Sequence, residues 1–387
     1  MLFIKIYISY NLAGFSCNNK HSKDLMKEKL VAVLAATLAG TAYAQTNVTI
    51  NGELDVGVLK ETGSDTRMMR NHDNLLRFKG TEELGNGTQA VFNLEHRWDS
   101  STGERCAGNN FIDRFQGHAG VDWQGAANVG IQNKDWGRIL LGRVSNIHGE
   151  TYYRIDPFIY DGISSSFGTW TLVNASQNPN SFRYDTPEWN GFRVLASYSV
   201  GRDTHINKTK EELVKNEINP HTYGNDGYNV AVTYDNGPFF ALANIEKVQD
   251  SDNSWGWSVG AGYTIADNTF TLGYHNMNIG RGVGEAILDD SNALKQKSVT
   301  AGWVYKTGPH VFKASYNWGR VESDGKYNGH SNKYGLGYDY YLSKRTWLYT
   351  NLAYIDNSKK EMGAIYNSNG AQIDSMTGVN VGITHRF

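Results

Sequence analysis

Hydrophobic and polar residues alternate along most of this chain, and the alternation continues to the last residue. In the final segment one set of alternate positions is largely hydrophobic and consists of Val379, Val381, Ile383, His385 and Phe387. The positions between them are small or polar and consist of Gly378, Asn380, Gly382, Thr384 and Arg386. Because successive side chains of a strand point to opposite faces, segment 376–387 predicts a strand with one apolar and one polar face.

The same pattern predicts sixteen strands, although their boundaries follow less clearly from it than their existence. Around 127–144 the alternation is at its weakest, because the run Ile139-Leu140-Leu141 interrupts it. The predicted strands lie near 48–58, 74–81, 88–98, 127–134, 136–144, 181–186, 191–200, 228–235, 238–247, 255–265, 269–279, 299–306, 310–320, 334–342, 345–356 and 376–387.

The connections between these strands alternate in length. Short turns lie near 82–87, 133–137, 186–191, 235–238, 266–268, 307–309 and 343–344. Longer polar segments lie between them, at 59–73, 99–117, 145–180, 201–226, 248–253, 280–295, 321–331 and 357–375. A soluble β-sandwich also has alternating strands, but it does not usually sort its loops by length. The sequence therefore predicts an all-β fold, a sixteen-stranded antiparallel transmembrane β-barrel with short periplasmic turns and long extracellular loops.

The beginning of the chain has the features of a cleavable export signal. The charged start Met26-Lys27-Glu28-Lys29 is followed by an apolar run at 30–40 and by Ala42-Tyr43-Ala44. This arrangement predicts a signal peptide at 26–44 with cleavage before Gln45. Residues 1–25 precede a signal that is already complete, and we interpret them as an upstream extension from a wrongly assigned start codon. The exported barrel domain is then expected to be 45–387.

Charge and composition exclude several classes of function. Outside residues 1–44 the chain carries 32 basic and 37 acidic residues, and it lacks the basic surplus of a nucleic-acid-binding protein. Cys106 is the one cysteine left in that part, so no disulfide can form within it. The eleven histidines lack the spacing of metal ligands, and no nucleophile is paired with a base. We therefore expect no metal, no cofactor, no nucleic-acid partner and no enzymatic activity.

Several segments resemble the general, non-specific porins of Gram-negative bacteria, most closely the neisserial and β-proteobacterial type. These segments are spread over the exported chain and lie at 78–87, Leu141-Gly142-Arg143, 180–187, 342–346 and His385-Arg386-Phe387. The resemblance implies an outer-membrane channel for passive diffusion of small hydrophilic solutes and ions. It also implies a homotrimer, and a third long loop, about 145–180, that folds into the lumen.

The resemblance further implies a constriction at which acidic residues of this loop face arginines of the barrel wall. The matching loop residues are Glu150, Asp156 and Asp161. The wall residues within family motifs are Arg143 and Arg183.

One departure from the family pattern concerns the second strand, which commonly reads Arg-Leu-Gly-Phe-Lys-Gly in these porins. Here the segment 75–80 reads Leu-Leu-Arg-Phe-Lys-Gly, so the arginine lies two residues further on, at Arg77. A shift of two residues keeps the same face of the strand. Arg97 is a further wall candidate. A charged side chain on the lipid face costs about 2–4 kcal/mol at mid-bilayer, and therefore we expect Arg77, Arg97 and Arg183 to point into water.

The expected partners follow from the same reasoning. We expect contact with outer-membrane lipid and lipopolysaccharide, and recognition of the final strand with Phe387 by the barrel-assembly machinery. An alternative function on the same barrel is a substrate-specific channel. Aromatic residues of the third loop keep that alternative open, namely Tyr152, Tyr153, Phe158, Tyr160, Phe167 and Trp170.

Overall fold

The structure, a computed structural model, describes residues 46–103, 123–169, 177–201, 225–249, 254–280, 293–323, 328–359, 365 and 374–387. The predicted signal peptide, the segment 1–25 and Cys106 lie outside these ranges. The strands are β1 (Thr46–Glu61), β2 (Arg67–Met69), β3 (Asn74–Gly85), β4 (Thr88–Trp98), β5 (Ala127–Asn133), β6 (Gly137–Ser145), β7 (Gln177–Asp185), β8 (Phe192–Ser199), β9 (Gly227–Asn236), β10 (Phe239–Lys247), β11 (Trp255–Ile265), β12 (Asn268–Ile279), β13 (Leu294–Thr307), β14 (His310–Ser323), β15 (Asn328–Tyr341), β16 (Thr346–Asn357) and β17 (Ser375–Arg386).

Antiparallel pairing closes these strands into a barrel. From β3 onward each strand pairs with the next one in sequence, and β17 pairs back to β1 from Glu53↔Arg386 to Glu61↔Gly378. Closure gives each of the described strands, apart from the short β2, a partner on both edges. The short β2 pairs with the later part of β1, whereas β3 pairs with its earlier part. Together β2 and β3 occupy one place in the wall, so the predicted sixteen-stranded antiparallel barrel is confirmed.

The structure differs from the sequence prediction at β2 and in the lengths of β13, β14 and β15. The predicted connection 321–331 is wrong in extent, because β14 and β15 continue their pairing as far as Glu322↔Asn328. Strand β13 likewise begins at Leu294, five residues before the predicted start. Both extensions carry polar residues on both faces, and therefore their alternation is too weak to be recognised in the sequence.

The barrel is apolar outside and polar inside. On β16 the inward residues Trp347, Tyr349 and Asn351 are buried, whereas Leu348 and Leu352 point outward and are exposed. The same arrangement recurs around the barrel, where the exposed large residues include Val48, Ile50, Val230, Val259, Leu272, Leu336, Val381 and Ile383. A continuous apolar outer surface is stable only when lipid covers it.

The short connections make tight turns at one end of the strands. Between β3 and β4 the segment Gly85-Asn86-Gly87 adopts φ values of 95°, 51° and 70°. Glycine adopts this left-handed region at no steric cost, and asparagine tolerates it. These residues permit the reversal that the sequence predicts at 82–87.

The connection after β6 folds back into the barrel, and we call its described part, residues 146–169, the inner loop. It starts with a short helix, α1 (Ile147–Tyr152), whose first turn is capped by the Asn146 side chain, which accepts a hydrogen bond from Gly149 N. No helix in the described ranges is long and apolar enough to cross a bilayer.

The inner loop lies within the barrel, because it contacts inward-facing residues on many strands. The Thr271 hydroxyl donates to Ile155 O at 2.5 Å, and the Ser164 hydroxyl donates to Leu352 O at 3.0 Å. Its apolar side chains Tyr152, Ile155, Phe158 and Ile163 are almost completely buried. The interior at this level is therefore a packed core on one side of the loop.

Candidate pore constriction

Small residues on β11–β15 make room for the inner loop, and we call this part of the barrel the seat wall. A β-carbon placed on Gly273 would lie 2.8 Å from Ile155 Cγ2. A β-carbon placed on Gly302 would lie 2.5 Å from Pro157 Cγ. Real β-carbons do not approach neighbours this closely, so glycine at these positions makes room for the Ile155 and Pro157 side chains of the loop.

A polar cluster ties α1 to β10 and β12. His148 Nδ1 lies 3.1 Å from Glu246 Oε2, and His148 Nε2 lies 3.1 Å from His275 Nδ1. Asn146 Nδ2 donates to Glu246 Oε1 at 2.7 Å. Because these side chains are essentially inaccessible to solvent, their mutual hydrogen bonds offset the cost of burial and hold the start of the loop.

On the opposite side, the inner loop forms an ion pair with β7. Arg183 Nη1 and Nη2 donate to the two carboxylate oxygens of Glu150 at 2.6 and 3.0 Å. Arg183 Nε donates to Asp185 Oδ1 at 2.7 Å. The guanidinium is buried, whereas the Glu150 side chain is 44% exposed. The pair therefore presents a carboxylate, not a guanidinium, to the interior water.

Asp156 folds back onto the inner loop instead of facing the wall. Its carboxylate accepts hydrogen bonds from Phe158 N at 2.8 Å, Ser166 N at 2.6 Å and Tyr160 N at 3.3 Å. Burial raises the pKa of Asp156, and the N–H groups of Ser166 and Phe158 oppose that rise. The residue acts as an internal brace for the turn at 156–166.

Asp161 reaches a chain of ion pairs on the wall. Arg70, in the segment between β2 and β3, lies 3.7 Å from Asp161 Oδ2 and also pairs with Asp73. Asp73 in turn accepts from Arg97 Nη1 at 2.7 Å. Burial raises the pKa of Asp161 to about 7, opposed by Arg70 and assisted by the negative charge of Asp73. The cations Arg97 and Arg70 outweigh burial at Asp73 and lower its pKa to about 2.

Arg77 and Arg97 meet at one carboxylate on the wall. Arg97 Nη2 lies 2.6 Å from Glu95 Oε1, and Arg77 Nε donates to Glu95 Oε2. These residues lie on β3 and β4, where Arg77 is directly paired with Glu95. Arg77, Glu95 and Arg97 thus form one inward-facing charged group on adjacent strands. We call this group, together with Arg183 and Asp185 of β7, the charged wall.

Arg143 has a different environment. Its guanidinium donates to the carbonyl oxygens of Gln124 and Gly125, at 2.9 to 3.1 Å. It therefore fixes the backbone that leads into β5. Gly142, just before it, has a φ of 121° and lies at a register shift between β6 and β7.

A cavity of about 630 Å³ lies between the inner loop and the charged wall. Its charged lining residues are Asp73, Arg97, Glu150, Arg154, Asp156 and Asp161. Its aromatic lining residues are Tyr153, Tyr160 and Phe167. Of the seven residues that the sequence analysis places at a constriction, four line this cavity. Arg77, Arg143 and Arg183 are not among its lining residues.

Sequence reasoning missed several residues of this site. Arg70 and Asp73 fall in the predicted long connection 59–73, where nothing in the sequence distinguishes them, and Glu95 carries no signal beyond lying on the same strand face as Arg97. Glu246 and His275 carry no local signal, since their role depends on α1 lying against β10 and β12. Lys333, which is fully buried and donates to Phe167 O at 2.6 Å, was likewise not distinguishable from other inward-facing residues of its strand.

The final residue continues the pairing between β17 and β1. Phe387 N donates to Gly52 O, and Gly52 N donates to Phe387 O, both at 3.0 Å. The aromatic ring lies over Gly52 and is 41% exposed. The chain end is therefore a paired element of the barrel.

A closed barrel with an apolar outer surface, a polar interior and an inward-folded loop defines a membrane channel of the β-barrel class. Residues 31–360 match the family model described as Gram-negative porin, and the chain belongs to that family. It is an outer-membrane porin, a non-enzymatic channel for passive diffusion.

Known proteins resemble the chain over nearly its full length. It is 26% identical to an outer membrane porin protein of Bordetella pertussis, over 94% of this chain and 100% of that protein. It is 22% identical to the major outer membrane protein P.IB of Neisseria meningitidis serogroup B, with the same coverage. The anion-selective porin from Comamonas acidovorans has a similar fold, with a TM-score of 0.70 and 23% identity over 89% of this chain and all of that porin.

Proposed function

We propose that the chain forms a homotrimeric general porin in which small hydrophilic solutes and ions pass between the inner loop and the charged wall. The observation that carries this proposal is the inner loop itself. It is seated on one side against glycines and held on the other by the Glu150–Arg183 ion pair. A cavity lined by both signs of charge remains beside it. Fixed charges in a narrow wet pore act on every passing ion.

We assign the proposed constriction residues to two different tasks. Arg97, Glu150 and Asp161 line the cavity and set the local field directly. Arg77, Arg183, Arg143 and Asp156 act through a neighbour, because each binds a carboxylate or backbone group that holds the loop or the wall in place. This division follows the contacts of each side chain.

The remaining proposals concern assembly. The signal peptide 26–44 is removed before Gln45, and residues 1–25 are absent from the exported protein. Short turns face the periplasm and long loops face the exterior, where they meet lipopolysaccharide, while lipid covers the outer surface. The final strand with Phe387 is the segment that the barrel-assembly machinery receives. Amino-terminal sequencing of protein extracted from outer membranes tests the cleavage site, and a start other than Gln45 contradicts it.

The channel itself is tested by single-channel recording of the extracted protein in a planar bilayer. We expect large steps that close in thirds, because three equal pores share one assembly. Reversal potentials under a salt gradient then report the ion preference. Insertion without steps would contradict an open channel, and closure in a single step would contradict the trimer.

A further inference from the structure

We propose that the cavity beside the inner loop contains a binding subsite for small organic amines that carry a ring. This inference rests on the proposed channel function, since the solute reaches the cavity only through the pore. Two features point to this ligand class. One is an aromatic shelf, formed by Tyr153, Tyr160 and Phe167. The other is the surplus of carboxylates exposed on the same cavity.

The aromatic shelf is continuous. The rings of Tyr153 and Tyr160 stack with centroids 5.5 Å apart and an interplanar angle of 16°. Phe167 meets Tyr160 edge-on, with centroids 5.6 Å apart. The three residues line the cavity and are half-buried, so part of each side chain faces water. A surface of this kind offers a flat solute ring both stacking and edge contacts.

The backbone that carries the shelf is strained. Ile159 and Tyr160 adopt left-handed φ values of 57° and 61°, which are rare for a branched or bulky residue. The Asp156 brace stabilises this turn through its hydrogen bonds to Phe158 N, Tyr160 N and Ser166 N. As a result, Ile159 is 52% exposed in the cavity next to the shelf. The loop thus places apolar surface where a water-filled pore would otherwise carry polar groups.

The charged groups of the cavity favour a cation. The guanidinium of Arg97 already pairs with Asp73 and Glu95, and that of Arg154 pairs with Asp235. Of the cationic side chains, Arg97 is 17% exposed and Arg154, which is paired with Asp235, is 36% exposed. The carboxylates of Glu150, Asp73 and Asp161 are 44%, 33% and 23% exposed. A carboxylate has about four acceptor positions, so these groups keep acceptor capacity after their ion pairs form.

An ammonium group and a ring are therefore recognised by different sides of one cavity. The ammonium donates to the carboxylates of Asp73, Asp161 and Glu150, while the ring lies on the aromatic shelf. A volume of about 630 Å³ is ample for a single-ring amine and its water.

The test is the block of small-ion current through single channels by three probes. Benzylammonium carries both features, propylammonium lacks the ring, and benzenesulfonate carries the ring with the opposite charge. We expect half-block by benzylammonium at a concentration about tenfold lower than by either other probe, which corresponds to about 1.4 kcal/mol. Equal block by benzylammonium and propylammonium, or stronger block by benzenesulfonate, would overturn the subsite.

Two variants distinguish binding to the aromatic shelf from a nonspecific effect of losing an aromatic residue. The double variant Tyr153→Leu/Phe167→Leu should raise the half-blocking concentration of benzylammonium about fivefold and leave that of propylammonium unchanged. The matched control, Tyr334→Leu, removes an exposed tyrosine from the outer face of β15 and should change neither value. Single-channel steps of normal size without selective block by benzylammonium would overturn the subsite and leave the channel function standing. A protein that inserts without conducting overturns the channel and the subsite together.

Discussion

The seat wall and the charged wall receive the same inner loop in opposite ways. On the seat wall, glycines such as Gly273 and Gly302 let the apolar side of the loop approach the backbone. On the charged wall, long side chains reach out and meet the loop through ion pairs, as Arg183 meets Glu150. The difference teaches why a porin can have a packed interior and an open pore at the same level. Small residues remove water on one side, and charged residues retain it on the other.

The largest expected effect comes from breaking the charged wall at its buried member. Arg183→Met releases Glu150 and leaves the buried Asp185 with Arg138 as its remaining cation. Loss of one partner of a buried pair costs about 3–5 kcal/mol, and we expect the lower end because Arg138 still compensates Asp185. We expect a loss of unfolding free energy in this range, measured by urea titration in lipid vesicles. The control Arg193→Met removes an exposed arginine and should change stability by less than about 0.5 kcal/mol. Similar losses in both variants would refute the special role of Arg183.

A larger residue in place of a seat-wall glycine should disturb the packing of the inner loop against that wall. In Gly337→Val the new β-carbon would lie 2.5 Å from the Phe158 ring, and overpacking of this kind costs about 1–3 kcal/mol. Because the loop must move away, we also expect a change in single-channel conductance. Phe158→Ala removes the ring that the new valine would contact. The double variant should therefore lose less unfolding free energy than the sum of the losses in the two single variants. The control is Ala261→Val, which adds the same residue on the outer face of β11. Additive losses for Gly337→Val and Phe158→Ala would contradict a contact between the two positions.

The ion preference of the channel tests the charged wall without destabilising the barrel. Arg97→Gln removes a positive charge next to the cavity. A unit charge about 4 Å away contributes about 1 kcal/mol in water, which corresponds to about fivefold. We therefore expect the permeability ratio of cations to anions to rise about fivefold, measured from reversal potentials. Lys134→Gln, in an exposed turn, should leave the ratio unchanged. A shift toward anions would contradict the assignment of Arg97.

The smallest expected effect is a pH dependence at Asp161. Its pKa of about 7 means that the carboxyl is largely neutral at pH 6 and charged at pH 8. The cation preference should therefore fall by about twofold as the pH falls from 8 to 6. Since folding raises this pKa above its ordinary value of 3.8, the associated stability is complete below pH 3.8 and is lost as the pH rises through 7.

Asp161→Asn separates this pH effect from other titrations. The variant should remove the step in ion preference between pH 6 and pH 8. In urea titrations it should also remove the loss of unfolding free energy that accompanies a rise in pH from 3.8 to about 7. An unchanged step in the variant would assign the titration to another group.

The strands could be predicted from the sequence because their signal is local. Val379, Val381 and Ile383 alternate with polar residues whatever the rest of the chain does, and the structure places them outward as that alternation requires. The same reasoning placed Arg97 and Arg183 on the inward face. It failed at β2, whose three residues are too few for alternation to show, and at the starts of β13 and β15, where both faces carry polar residues.

The inner loop shows the limit of that reasoning. Glu150, Asp156 and Asp161 are equivalent as sequence, since each is an acid in the third long connection. In the structure Glu150 pairs with Arg183, Asp156 accepts backbone N–H groups of its own turn, and Asp161 lies near Arg70. The path of the backbone decides between these environments, and that path depends on which strand carries a glycine at the point of contact.

The sequence by itself determined the number of strands, their inward and outward faces, and the class of protein. These properties follow from a period of two residues and from pairing between neighbours in the chain, so they need no knowledge of distant contacts. Only the tertiary structure decided which charges meet. Glu150 and Arg183, His148 and Glu246, and Asp156 and Ser166 are joined by a loop that is shaped by the space inside the closed barrel. That space exists only after the first and last strands have paired.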